Sequence, residues 1–212
     1  MIKKIFKENY LYIIVIVFIV LLFHFVINSN ISNSIIELDN TFFEIINDYR
    51  SDFLNTIFKI LTCFGNIYIP VLIIIAMLIF YKNKWFGLLQ GGCYAIAGII
   101  TYLSKILIAR PRPIEALIKI PSSYSFPSGH TLTSIVFYVI LTYLLTIKCK
   151  KETRNSLIIL ATIFALLISF SRPYLGVHYL SDIIGGMILS VPILFMLINI
   201  INKNFKKKIS GK

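Results

Sequence analysis

Six long apolar runs, separated by short polar stretches, constrain this chain more than any other feature. They cover about Tyr10–Ile27, Asn55–Tyr81, Trp85–Ile108, Gly129–Ile147, Ser156–Ser171 and Tyr179–Ile201. A helix crosses a bilayer core with about 20 apolar residues, within a range of roughly 17–25. The chain is 58% hydrophobic and 14% charged, whereas a soluble domain carries about 25% charged residues. These features predict an all-α, polytopic membrane bundle of six transmembrane helices, forming one domain over residues 1–212. The second run contains Lys59 and Gly65, so its membrane part could shrink to Ile67–Tyr81. The segment Thr41–Leu54 mixes Phe42, Phe43, Ile45 and Ile46 with Glu44, Asp48 and Asp52, the pattern of an interfacial amphipathic helix.

The basic residues set an orientation. With the N-terminus inside, the inner segments hold Lys3, Lys4 and Lys7, then Lys82 and Lys84. They also hold Lys148, Lys150, Lys151 and Arg154, and finally Lys203, Lys206, Lys207, Lys208 and Lys212. Only Glu8 and Glu152 oppose them, so the inner side accounts for the whole formal charge of +12. That asymmetry is the positive-inside rule, and it removes the need for a nucleic-acid partner. An even number of spans returns the C-terminus to the same side. The first run is longer than the apolar part of a signal peptide and no A-x-A site follows it, so it is expected to be retained as an anchor, with His24 packed or interfacial. Cys63, Cys93 and Cys149 have neither metal-site nor disulfide spacing and are expected to be small apolar residues. Glycines in the third run (Gly87, Gly91, Gly92, Gly98), and Gly185 with Gly186 in the sixth, are expected to let helices approach closely.

The ionisable residues left over gather at the outer ends of the later runs. Lys105 lies in the last turn of the third, and "ARPRP" follows. Arg172 closes the fifth. His130 opens the fourth, and His178 opens the sixth with Asp182 one turn later. Taken singly, Lys105 could snorkel, the arginines could anchor lipid headgroups, and His178 with Asp182 could cap a helix. Convergence of four segments at one depth is not explained that way, and charges near a membrane core point to function. Lys105, Arg112 and Arg172 suit phosphate oxygens. Gly129 begins a helix whose free N–H groups favour an anion, with Ser128 as a hydroxyl and N-cap. His178 and Asp182 are i and i+4, so the carboxylate can orient the ring and leave one nitrogen free to attack. His130 could protonate the departing oxygen. No cluster offers a metal cage and no cofactor is implied, so the expected reaction is metal-independent. It needs neutral His178 and charged His130, which predicts a bell-shaped pH profile.

Three motifs now stand in order: "KILIARPRP" from Lys105 to Pro113 (K-x6-R-P), "PSGH" from Pro127 to His130, and "SRPYLGVHYLSD" from Ser171 to Asp182 (S-R-x5-H-x3-D). Together they resemble the type 2 phosphatidic acid phosphatase family, which includes vanadium haloperoxidases and glucose-6-phosphatase. The resemblance implies that Lys105, Arg112, Ser128, Gly129 and Arg172 bind phosphate. It also implies that His178 forms a phosphohistidine, Asp182 orients it, and His130 protonates the leaving group and then activates water. Arg110 falls at a variable position of the first motif, and Glu115, Lys119 and Tyr124 fall in a loop that could select headgroups, with no individual role assigned to them. The implied substrates are membrane lipid phosphates such as phosphatidylglycerol phosphate, undecaprenyl diphosphate or phosphatidic acid, cleaved at the outer face of a bacterial plasma membrane. Two other readings use the same cradle. A phosphotransferase would pass the phosphoryl group to another lipid. A lipid-binding or transport protein would keep the cations but have no need for His178 with Asp182.

Overall fold

The structure is a computed structural model and describes residues 2–29, 31–205 and 208–209. It is all-helical among those residues. In chain order the helices are α1 (Ile2–Ile27), α2 (Ser32–Asp48), α3 (Asp52–Cys63), α4 (Tyr68–Phe80), α5 (Trp85–Ile108), α6 (Gly129–Leu145), α7 (Lys151–Tyr174) and α8 (Leu180–Ile200), with a π-helical turn at Ile201–Phe205. The protein is an integral membrane protein. Among the described residues four helices are long and apolar enough to cross a bilayer: α1, α5, α7 and the segment Leu180–Phe205. α3 and α4 meet that test only as a pair, bent by 42° at their junction, and α6 is a shorter apolar helix of 17 residues.

α6 is the axis of the bundle and packs against α5, α7 and α8. Its sequence is apolar nearly all round, the pattern of a helix surrounded by others. Leu132, Val136, Phe137, Ile140 and Leu144 are all fully buried. α1 lies at the edge against α8 and α5 and exposes Leu11, Phe18 and Phe25. Such a surface is unfavourable in water and matched to lipid tails.

Three sequence expectations change. The segment Thr41–Leu54 is not one helix: α2 ends at Asp48, and Ser51, in extended conformation, accepts from the Leu54 N–H at 3.3 Å to start α3. The second apolar run is interrupted at Phe64–Ile67, where the Gly-Asn pair stops α3. In α5, Gly87 and Gly91 face Leu78 and Ile74 of α4, but Gly92 and Gly98 face open space. Gly185 and Gly186 do meet close neighbours, the Phe126 ring and Thr131. All three cysteines are free, Cys93 buried and the other two exposed. Lys206, Lys207 and Lys212 of the basic tail lie outside the described residues.

The ends that matter are the C-termini of α5 and α7 and the N-termini of α6 and α8. α5 stops at Ala109, whose φ of 52° is left-handed and turns the chain into the Pro-rich loop. α7 continues through Pro173 to Tyr174 rather than ending at Arg172. Gly176, φ 73°, then makes the turn toward His178, with the Glu115 carbonyl where a side chain would lie.

Candidate active site

Asp182 sits in the first turn of α8 with no solvent exposure. Its Oδ2 accepts from the Tyr179 N–H at 3.0 Å, closing the helix N-terminus, and from the Ser125 hydroxyl. The same oxygen lies 3.2 Å from His178 Nδ1. Its Oδ1 accepts from the Arg110 guanidinium at 2.7 Å. A carboxylate so engaged stays ionised and accepts the Nδ1 hydrogen of His178. The other ring nitrogen, Nε2, then carries the lone pair, and an N–H of Arg112 donates to it at 3.0 Å. His178 is 4% exposed. Burial pushes its pKa down to about 3, and Asp182 opposes only part of that shift. The imidazole is therefore neutral near pH 7, oriented at Nδ1 and carrying its lone pair on Nε2.

Arg112 is one of three cations that converge here from separate segments. Lys105, in the last turn of α5, donates to the Ser125 carbonyl at 2.9 Å and to that of Tyr124. Arg112 also donates to the carbonyls of Ser123 and Val177, each at 2.6 Å. Burial lowers the Arg112 pKa while Asp182 raises it. Arg172, in the last turn of α7, is 3% exposed and donates to the Thr62 hydroxyl of α3. Its Nε is buried and finds no acceptor among the described residues. An unpaired buried donor costs about 1–3 kcal/mol or more, and an anion oxygen would relieve it.

"PSGH" opens α6 as the sequence suggested. Ser128 is the N-cap and accepts from the Thr131 N–H at 3.4 Å, while its own N–H donates to the Asp182 carbonyl at 3.1 Å. A Cβ on Gly129 would lie 3.9 Å from Lys105 Cε. The first N–H groups of α6, which have no intrahelical partners, therefore begin beside that lysine. His130 Nε2 lies 3.0 Å from Asn66 Oδ1. The cationic side chains acting on this ring are Arg172, Arg112 and Lys105.

All eight residues singled out in the sequence thus gather at one end of the bundle. Several partners were missed. Arg110 is 8% exposed and bridges Asp182 to Asp39 of α2, each at 2.7 Å. Its guanidinium also stacks over the Tyr179 ring at 4.2 Å. Burial alone would lower the Arg110 pKa, but Asp182 and Asp39 raise it above the ordinary arginine value. Ser181 donates to Asp39 from both its N–H and its hydroxyl. Ser125, Thr62 and Asn66 complete the surround. Glu115 and Lys119 are exposed, and Tyr124 contributes its carbonyl to Lys105. A cavity of about 230 Å³ reaches His178 from the side of α2, lined also by Phe42, Phe43, Ile114 and Pro173.

The chain is similar to several known proteins. The PAP2 superfamily profile matches residues 86–206. Phosphatidylglycerophosphatase B of Bacillus subtilis is 32% identical over 165 residues, 76% of this chain and 79% of that protein. Undecaprenyl-diphosphatase of Sulfolobus acidocaldarius is 30% identical over 209 residues, 96% of this chain and 97% of that protein. The crystal structure of the transmembrane PAP2-type phosphatidylglycerolphosphate phosphatase from Bacillus subtilis superposes with a TM-score of 0.79 at 26% identity, covering 90% of this chain and 96% of that one.

Proposed function

The chain belongs to the PAP2 superfamily, and from that premise we propose that it removes phosphate from a membrane lipid phosphate or diphosphate through a phosphohistidine on His178. The observation that carries the reading is the state of His178: neutral, held at Nδ1 by Asp182, and facing Arg112 with Nε2. Phosphate oxygens take the donors of Lys105, Arg112 and Arg172 and the N–H groups at Gly129, with Ser128 capping that helix. Nε2 attacks phosphorus in line, and the P–O bond to the lipid breaks as P–N forms. His130 gives its proton to the departing oxygen. Water then attacks the phosphohistidine, losing a proton to His130, and inorganic phosphate leaves. Charge on the equatorial oxygens is met by the three cations, which suits a loose transition state and makes the chemistry metal-independent.

The substrate class follows from the relatives' names and the apolar bundle: phosphatidylglycerophosphate or undecaprenyl diphosphate. The bent α3–α4 pair and α6, added to the four long helices, make six crossings. Both termini then lie inside and the site lies at the outer face, within one domain whose motifs span residues 105–182.

The test is phosphate release by purified protein in detergent with a chelator present, using both lipids, beside His178→Ala. Release that disappears in the variant, with a phosphoryl label trapped on His178 in the wild type, is expected. Undiminished release by a folded His178→Ala protein overturns the reading.

A further inference from the structure

The break between α3 and α4 has no role in the mechanism above, yet it is built against His130. Asn66 places Oδ1 3.0 Å from His130 Nε2. Gly65 is buried beneath the same ring, where a Cβ would lie 2.6 Å from His130 Cδ2 and 2.7 Å from Ile168 Cγ2. No side chain fits there without displacing the imidazole. The Phe64 carbonyl accepts from the Tyr138 hydroxyl of α6 at 2.8 Å, which ties the break to the helix that carries His130. One turn earlier, Thr62 accepts from Arg172. A continuous helix through residues 64–67 would move all of these contacts.

We propose that Asn66, seated by Gly65 in the interrupted helix, is a positioning residue that fixes the orientation and tautomer of His130. The inference rests on the general-acid role of His130. With Oδ1 as acceptor, Nε2 keeps its hydrogen throughout the cycle and Nδ1 is the nitrogen that exchanges the proton. In the first step Nδ1–H protonates the lipid oxygen as the P–O bond breaks and the P–N bond to His178 forms. In the second Nδ1 takes a proton from the attacking water. Without Asn66 the ring can rotate or change tautomer, and the proton is no longer delivered from one place.

A general acid matters most when the leaving oxygen is strongly basic, and this gives a readout that loss of folding would not mimic. Two phosphate monoesters with the same alkyl chain serve as probes, one a plain alkyl phosphate and the other a nitrophenyl phosphate whose leaving oxygen needs no proton. We would measure kcat/KM for both with the wild type, His130→Ala, Asn66→Ala and Asn66→Asp. General-acid catalysis contributes roughly 10²–10⁴-fold, so His130→Ala should lose about that factor on the alkyl ester and little on the nitrophenyl ester. Asn66→Ala, which disorders the acid without removing it, is expected to lose about 10–100-fold on the alkyl ester and less than about 3-fold on the other. Asn66→Asp keeps an acceptor oxygen and is expected to restore the alkyl rate. Gly65→Ala should reproduce the Asn66→Ala pattern by displacing the ring.

Equal losses on both esters in Asn66→Ala, or no loss, while His130→Ala discriminates between them, overturn the positioning role and leave the general acid standing. Failure of His130→Ala to discriminate overturns the general-acid reading and the inference with it.

Discussion

Arg110 offers the sharpest test of the electrostatic argument. It is 8% exposed, and its partners Asp39 and Asp182 are more deeply buried still, each accepting at 2.7 Å. Arg110→Ala leaves two buried carboxylates without their shared cation. Breaking a buried pair by removing one partner costs about 3–5 kcal/mol, since the remaining charge is uncompensated. Asp39→Asn removes one charge but leaves Arg110 paired with Asp182, and its cost should be nearer that of one hydrogen bond to a charged group, about 1.5–3 kcal/mol. The double variant should be less damaging than the sum, with a coupling of about 1–3 kcal/mol, because Asp39→Asn removes a charge that Arg110→Ala had stranded. The assay is the unfolding midpoint as a denaturing detergent is titrated into mild-detergent micelles. Activity supplies a second reading. Loss of Arg110 leaves more of the Asp182 charge acting on His178, which favours the protonated ring. The acid limb of kcat/KM in Arg110→Ala should therefore move to higher pH. Strict additivity of the two substitutions together with an unmoved acid limb would refute the reasoning.

Three further outcomes follow from the same geometry. In the folded protein His178 is lowered from 6.5 to about 3, so the unfolded chain binds the extra proton first. That contribution to stability is complete above about pH 6.5 and is lost as pH falls toward about 3; unfolding midpoints of the wild type and His178→Asn should converge with acidification, and parallel curves would count against it. Gly185→Ala would place a Cβ 2.2 Å from Phe126 Cζ. Overpacking of this kind costs about 1–3 kcal/mol, and because Phe126 adjoins "PSGH", a lowered midpoint accompanied by lost phosphate release is expected. Gly176→Ala meets both a φ of 73° and the Glu115 carbonyl at 2.2 Å. It should be less stable than Gly185→Ala, whose backbone is helical, and equal midpoints for the two would contradict this ordering.

Periodicity and the order of the motifs make much of this architecture legible in the sequence. The third apolar run, Trp85–Ile108, has the bounds of α5, because a polar loop precedes it and prolines follow it. Lys105, His130, Arg172, His178 and Asp182 could be grouped because each lies at a helix end, where sequence position fixes depth. The partners that were missed share a different property. Asp39 stands just ahead of the amphipathic segment and looks like one acidic residue among several, and only packing of α2 beside α8 brings it to Arg110 and Ser181. Asn66 and Thr62 lie in an apolar run where a Gly-Asn pair signals a turn but not what the turn touches. Arg110 falls at a position the motif does not specify, whereas burial with two carboxylates makes it part of the site. The glycines of α5 differ in the other direction: their spacing suits close helix approach, but at Gly92 and Gly98 nothing among the described residues comes within 4 Å of an added Cβ.

Arg112 is already committed in the structure, with donors resting on Ser123, Val177 and His178 Nε2. An arriving phosphate must exchange those bonds for its own. It gains the difference between two hydrogen-bonded states and not the full strength of a guanidinium–phosphate pair. The same discount applies to the inorganic phosphate that ends a cycle, but with an asymmetry. A lipid substrate adds the burial of its chain beside the apolar helices, whereas the free ion is held by the donors of the cradle alone, the unpaired Arg172 Nε among them. Product is therefore held less tightly than substrate, and inorganic phosphate is expected to be a weaker competitor than a lipid phosphate for the same site.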